Sequence, residues 1–200
     1  MSAGRKREFE AEEALKKAMF IFWEKGFTGA SLSDLTTSMG INKPSLYSAF
    51  GNKEKLFVSA TDYYTQTYAE PNFAKLHTDN RSVKQRIHDF LFAVIEKQCD
   101  PELPSGCFVS LCASEAASDC MPKNAVEAIR HVQNTTEVLL KEFFEKEKQQ
   151  DHLTATFNVN LATLFTITIM HGAASMARSD KSLEEISLII EPSVELILSF

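Results

Sequence analysis

Two short helical patterns that meet at a single glycine constrain this chain more than any other feature. Ser31 to Met39 and Asn42 to Phe50 each carry apolar residues at helical spacing, and Gly40 lies between them. Serine and asparagine are favoured at helix N-caps, and glycine tolerates the positive φ that a sharp turn requires. This arrangement predicts a helix-turn-helix over residues 31–50. An ordinary helical hairpin has the same spacing, so the flanking sequence must decide between the two.

The sequence on both sides of this motif is also helical. Upstream, apolar residues from Phe9 to Phe22 recur at helical intervals, and Gly26 ends the pattern. Downstream, Asn52 can cap a fourth helix whose first turn holds Lys53 and Lys55. Lysines at a helix N-terminus oppose the helix dipole, but they are well placed to meet a DNA phosphate. The flanks therefore favour a DNA-binding motif over a plain hairpin.

Several separated elements together resemble the DNA-binding domain of the tetracycline-repressor (TetR) family. They fall within about the first sixty residues and comprise Gly26-Phe27, Gly40-Ile41, Lys43 to Tyr47 with Phe50, and Asn52 to Phe57. The resemblance implies a one-component transcription regulator, usually a repressor. It also implies an all-α fold of about nine helices. Thr36, Ser48 and Ala49 depart from the family pattern, so the resemblance does not extend to the operator sequence.

We therefore expect two domains. Residues 1–56 form the helix-turn-helix DNA-binding domain, with its motif at 31–50, and residues 57–200 form a helical regulatory and dimerisation domain. Further helices are expected near 83–99, 106–117, 122–149, 155–177 and from 183 onward. The fourth helix, Lys53 to about Glu70, is expected to end before Pro71 and to be the only link between the domains, and Pro192 to kink or divide the last helix.

The motif gives a set of expected contacts with double-stranded operator DNA. Groove contacts are expected from Lys43, Pro44, Ser45, Tyr47 and Ser48, and phosphate contacts from Ser31, Ser33, Tyr47 and Lys53. Arg5, Lys6 and Arg7 could form an arm toward the phosphates or a minor groove, or a frayed terminus.

Composition limits the remaining possibilities. The net charge of −6 argues against a nonspecific nucleic-acid coat, yet residues 1–56 hold nine basic against seven acidic side chains. A hydrophobic content of 44% is enough for a substantial core. The strongly apolar runs stop well short of about twenty residues, and the chain opens without a signal peptide, so we expect a cytoplasmic protein with no membrane span. The four cysteines are interpreted as thiols.

The resemblance implies a homodimer and a small-molecule effector. The last two long helices, rich in apolar and small residues such as Gly172, would pair with a second copy. The family places an effector cavity between helices of the regulatory domain. Its expected lining suits a small hydrophobic or aromatic compound and comprises Phe90, Phe108, His131, Phe144 and Phe165, with Gln98 as a further polar group.

Cys107 is the one candidate for chemistry. If Gly106-Cys107 opens a helix, the helix N-terminus favours the thiolate, although a lone cysteine is more often a buried apolar residue. The Gly-Cys element resembles one in a subset of the TetR family, some of whose members respond to electrophiles or oxidants. A thiol-based repressor is therefore the alternative to a ligand-responsive one. Because no catalytic constellation or paired metal-ligand spacing occurs, we expect neither enzyme activity, a cofactor nor a metal site.

Overall fold

The structure is a computed structural model that describes residues 3–200, with residues 3–10 described only as helical backbone. All regular structure in residues 3–200 is helical, which confirms the all-α prediction. Nine of these helices have eight residues or more and two are shorter. Their bounds are α1 Ala3–Gly29, α2 Leu32–Met39, α3 Lys43–Phe50, α4 Lys53–Tyr64, α5 Glu70–Phe73, α6 Val83–Gln98, α7 Phe108–Ala116, α8 Lys123–Gln149, α9 Val159–Arg178, α10 Leu183–Ser187 and α11 Ile190–Leu198. The side chains of the arm expected at Arg5, Lys6 and Arg7 lie outside the described residues.

The chain divides into two compact units. The first comprises Met1–Thr67 and Phe108–His131, and the second comprises Tyr68–Cys107 and Val132–Phe200. Because α7 packs with α1, the backbone passes from one unit to the other at three points. The expectation that the fourth helix is the only link was therefore wrong. The functional boundary at residue 56 stays a prediction.

Aromatic side chains form the core of the first unit. The Phe57 ring of α4 makes edge contacts with Phe22 and Phe27 of α1, each at 5.1 Å between ring centroids. Tyr64 lies 5.1 Å from the Phe108 ring of α7. All of these rings except Tyr64 and Phe27 are fully buried, and those two are nearly so. Buried aromatic pairs add to the free energy of their area burial, so α1, α4 and α7 support one another.

The second unit has a core built mainly from α6, α8, α9 and α11. Its buried side chains include Phe90, Phe143, Phe144, Phe157 and Ile197. The last helical stretch is divided, as predicted, into α10 and α11, and Pro192 lies in the first turn of α11, where its missing N–H is tolerated. α4 ends as a regular helix at Tyr64 and continues through a π-helical segment, Thr65–Ala69, before Pro71 enters α5.

By length and composition alone, the helix α9 is long and apolar enough to cross a membrane. This was not predicted from the sequence, because threonine and other polar residues interrupt the apolar run. Its small and hydroxyl side chains, such as Ala162, Thr166 and Ala173, are buried in the second unit. Leu161 and Leu164 are exposed. A helix that packs one face and exposes leucines on another is typical of core and interface helices in globular proteins, so it carries no membrane assignment here.

Candidate nucleic-acid interface

The N-terminus of α2 is fixed by a capping box, in which Ser31 is the N-cap that the sequence predicts. Ser31 Oγ accepts a hydrogen bond from Asp34 N at 3.0 Å, and Asp34 Oδ2 accepts one from Ser31 N at 3.0 Å. Lys25 Nζ lies 2.9 Å from the second oxygen of Asp34. Hydrogen bonds from Lys25 and Ser31 lower the pKa of Asp34 to about 2. The carboxylate is therefore ionised at neutral pH and ties the end of α1 to the start of α2.

The turn between α2 and α3 is also as predicted. Gly40 adopts φ 69° and ψ 29°, the left-handed conformation that glycine reaches without strain. Asn42 Oδ1 accepts a hydrogen bond from Ser45 N at 2.9 Å, which caps α3, and Pro44 occupies its first turn. Thr36 donates its hydroxyl to Leu32 O at 2.9 Å. Its polar group is thus satisfied within α2.

The outer face of α3 is open to solvent. Leu46 is fully buried and anchors the helix. The five side chains expected to enter the groove are all exposed, namely Lys43, Pro44, Ser45, Tyr47 and Ser48. Tyr47 is 46% exposed, although the large apolar ring of a tyrosine is more often buried in part. An exposed helix face that carries a lysine, two serine hydroxyls and a tyrosine ring is suited to contacting the edges of DNA bases and the phosphates.

The residues expected at phosphates differ in how available they are. Ser31 and Ser33 are both exposed, but Ser31 Oγ also donates to Asp34 Oδ2 at 2.7 Å, so its hydroxyl proton already has an acceptor within the protein. Lys53 is half-buried, and its Nζ lies 4.4 Å from the centroid of the Phe27 ring. Burial lowers the pKa of Lys53, while the charge of Glu115 opposes that shift. Lys53 therefore has partners within the protein that the sequence did not reveal.

Glu115 is the main residue of this region that sequence reasoning missed. Its carboxylate accepts hydrogen bonds from Phe27 N at 2.7 Å and Thr28 N at 3.2 Å. The two amides are 88 and 87 residues away in sequence. The one local signal is the place of an acidic residue in the last turn of α7, where it opposes the helix dipole.

The five residues expected around an effector fall in different places. Phe108 is fully buried in the first unit, whose last residue, His131, is exposed. Phe90 and Phe144 are buried in the second unit, where Phe90 packs 5.1 Å from Phe73 and Phe144 packs 5.6 Å from Phe157. Phe165 is half-buried against Phe200. Their joint role at a ligand stays a prediction.

Two surface clefts in the structure do not include any of those five residues. One, of about 490 Å³, is lined by residues of the first unit, including Phe50, Lys55 and Asn124. The other, of about 370 Å³, lies in the second unit beside Arg81, Arg86 and His152. Cys107 is half-buried. The helix α7 begins at Phe108, two residues later than the predicted start at residue 106, so Cys107 directly precedes the helix and is not part of its first turn. Within the described part of the chain, no group of three or more His, Cys, Asp or Glu side chains is placed to hold a metal ion.

Comparison with known proteins points to one family. Residues 14–60 match the model of the bacterial regulatory proteins of the tetR family. The chain is 29% identical to the HTH-type transcriptional repressor ComR of Escherichia coli K12, over 98% of this chain and 92% of ComR. It is 28% identical to the repressor BdcR of the same organism, over 92% of this chain and 86% of BdcR.

Solved structures agree along nearly the whole chain. A cysteine-substituted form of the TetR-family regulator CifR, in complex with 26-base-pair double-strand operator DNA, matches with a TM-score of 0.81 and 28% identity. The match covers 91% of this chain and 94% of the CifR chain. An exposed, doubly capped helix-turn-helix on this all-α fold defines a DNA-binding transcription regulator. The chain belongs to the TetR family of bacterial regulatory proteins.

Proposed function

We propose that this protein is a homodimeric transcriptional repressor that leaves its operator when a small hydrophobic or aromatic effector binds. The observation that carries the proposal is the exposed face of α3, where Lys43, Ser45, Tyr47 and Ser48 extend from a helix fixed by caps at its N-terminus. Groove contacts from these side chains carry sequence information, and phosphate contacts from Ser33 and Lys53 position the protein. ComR and BdcR, which are named as repressors, support the direction of regulation.

Exposed leucines on α9 and α11 support a dimer. Leu161, Leu164 and Leu196 are each at least 44% exposed, although they belong to the two helices that the family uses for pairing. A Cβ added to Gly172 would meet no heavy atom within 4 Å, so the backbone of α9 is open to close approach there. A second copy would cover this apolar surface. Dimer symmetry would also present two copies of α3 to successive major grooves about 34 Å apart.

The interior of the second unit supports an apolar effector that carries a hydrogen-bond donor. Gln98 is only 6% exposed, and its Nε2 donates to Met170 O at 3.1 Å. Its Oε1 is buried and has no hydrogen-bond partner. An unpaired buried acceptor costs about 1–3 kcal/mol, which a ligand donor would recover. The aromatic core of the same unit, which includes Phe90 and Phe144, suits an aromatic or aliphatic body for that ligand.

The DNA-binding part of the proposal is tested by footprinting on the DNA upstream of the coding region. We expect protection of a palindromic site with two half-sites on one face of the duplex. The Tyr47→Ala/Ser48→Ala variant should lose the footprint while keeping its helical circular dichroism. A footprint that is unchanged in this variant, or no footprint with the unaltered protein, would contradict the proposal.

The effector part is tested by screening small aromatic and aliphatic compounds for an increase in the unfolding temperature, followed by calorimetric titration. A ligand that releases DNA must bind more tightly to the DNA-free arrangement of the protein. Bound operator should therefore lower the affinity for the ligand by the same factor by which the ligand lowers the affinity for the operator. Gln98→Leu should weaken compounds that have a donor more than those that lack one. Equal ligand affinity with and without operator would exclude this coupling.

Cys107 supports one alternative, in which release follows covalent modification of its thiol. The residue is half-buried and directly precedes the N-terminus of α7, after Gly106 with φ 79°. In this alternative Cys107→Ser protein stays on the operator in the presence of an oxidant or electrophile. In the ligand-responsive case the same variant still responds to the effector. For either mechanism we propose a cytoplasmic protein without catalytic activity.

A further inference from the structure

Glu115 occupies a position that its own helix does not favour. It is the second-last residue of α7, where the exposed carbonyl groups carry the negative end of the helix dipole. A carboxylate there is repelled by its own helix, so its stabilising contacts lie elsewhere. They lie on α1, which packs against α7 within the first unit.

The carboxylate acts as an N-cap for the last turn of α1. At Gly26 the helix is interrupted, with φ 72° and ψ −178°, so Phe27 and Thr28 begin a new turn whose amides lack partners in the preceding helix. Glu115 accepts from both amides, at 2.7 and 3.2 Å. A Cβ on residue 26 would lie 2.5 Å from Glu115 Oε2. Glycine is thus required at this position for the backbone conformation and for the approach of the carboxylate.

The same capped turn supports Lys53. The ring of Phe27 lies under the Lys53 ammonium at 4.4 Å, and Glu115 is the charged group whose field favours the ammonium there. Lys53 is the first residue of α4, where unpaired amides repel a cation. The aromatic face and the carboxylate together offset that repulsion. They fix a side chain that would otherwise turn into solvent.

We propose that Glu115 is a positioning residue for operator binding, which acts by capping Phe27 and Thr28 and thereby holding Lys53 where α4 can meet a DNA phosphate. This inference rests on the proposed function, because Lys53 matters in this way only if the first unit binds DNA. Glu115 itself need not touch the DNA.

The sign of the effect separates this role from simple electrostatics. Removal of any acidic side chain makes the protein less negative, which by charge alone should strengthen binding to DNA. Glu127 is a matched control, because it lies in the first unit on α8, its side chain is 57% exposed, and its partner is the exposed Lys123. Glu127→Ala should leave operator affinity unchanged or slightly higher. Glu115→Ala should lower it.

The test measures operator affinity by fluorescence anisotropy over a series of salt concentrations. The proteins are the unaltered chain, Glu127→Ala, Glu115→Ala, Glu115→Gln, Lys53→Met and the Glu115→Ala/Lys53→Met double variant. We expect Glu115→Ala to bind about tenfold more weakly. Glu115→Gln keeps an oxygen acceptor for the two amides and should recover part of that loss. Lys53→Met should lower the salt slope by about one, and Glu115→Ala should lower it by a fraction of that.

The double variant decides whether Glu115 acts through Lys53. If it does, Glu115→Ala costs much less in the Lys53→Met background than in the unaltered chain. The proposal is overturned if Glu115→Ala binds as tightly as Glu127→Ala, or if its full loss persists without Lys53. Should Glu115→Ala fail to fold by circular dichroism, Glu115→Gln takes its place in the same cycle under the same criteria. Failure of the unaltered protein to bind the operator would instead contradict the proposed function.

Discussion

Arg86 Nη1 donates to Glu147 Oε1 at 2.9 Å, and this ion pair ties α6 to α8 inside the second unit. Arg86 also donates to Leu76 O at 3.0 Å, and His152 Nδ1 lies 2.8 Å from Glu147 Oε2. Both members of the ion pair are buried. A buried charge that loses its partner is costly, because neither water nor an opposite charge replaces it.

Removal of either charge should therefore destabilise the protein. Arg86→Met and Glu147→Gln should each lower the free energy of unfolding by about 3–5 kcal/mol, measured by urea denaturation. The Arg86→Met/Glu147→Gln double variant should lose much less than the sum of the two single losses, since no charge of the pair is left unpaired. Lys123→Met, which breaks the exposed pair with Glu127, should cost less than about 1 kcal/mol. Equal losses at the buried and exposed pairs would contradict this prediction.

The Asp34 carboxylate, which caps α2, should make the free energy of unfolding depend on pH in the acidic range. Asp34 has a pKa of about 2 in the folded chain, against about 3.9 when unfolded, because Lys25 and Ser31 donate hydrogen bonds to it. A carboxyl group with a lowered pKa contributes stability above its unfolded pKa and loses it as pH falls through the folded pKa. Its contribution should thus disappear between about pH 5 and pH 2. Asp34→Asn should flatten the dependence of unfolding free energy on pH over that range, and an unchanged curve would exclude this role.

Two serines should differ in what they do at the operator. Ser45 is exposed on α3, so Ser45→Ala should change the preference between operator variants by about 1 kcal/mol. Ser33 is exposed on α2 and is expected at a phosphate, so Ser33→Ala should weaken binding to all operator sequences by the same factor. Anisotropy titrations against a panel of single-base operator variants compare the two. The assignment fails if both substitutions act equally on every operator.

A charge in the exposed apolar face should separate the proposed dimer. Leu164 is 57% exposed on α9, and Leu164→Glu should yield monomers that keep their helicity but bind the operator much more weakly. Val138 is 50% exposed on α8, so Val138→Glu is a matched control and should remain dimeric. Sedimentation velocity at micromolar concentration distinguishes these states. A monomeric unaltered protein, or two variants with the same sedimentation, would contradict the proposed interface.

Local features of the DNA-binding motif were predictable from sequence because their partners are three residues away. Ser31, Asn42 and Asn52 each cap the helix that follows, and Gly40 supplies the left-handed turn. Such contacts depend on residue type and spacing alone. The division of the last helical stretch near Pro192 was also predicted, because proline is poorly tolerated inside a helix.

Contacts between distant segments could not be predicted in this way. Glu115 and Phe27, or Arg86 and Glu147, meet only because helices far apart in sequence pack together. Helical periodicity shows which face is buried, but it does not show which helix covers that face. For the same reason the packing of α7 in the first unit was missed. Phe90 and Phe144 read equally well as core or as cavity lining, because both uses require a buried aromatic ring.

The capping of α3 determines how this regulator could change its DNA target. The Asn42 side chain already accepts from Ser45 N, and Pro44 has no amide hydrogen, so two of the first three amides of the helix cannot hold a DNA phosphate. Recognition therefore falls to side chains that point into solvent and contribute little to the core. Substitution at Lys43 or Ser48 could then redirect the protein to a new operator at small cost in stability, so its DNA specificity can diverge while the scaffold is retained.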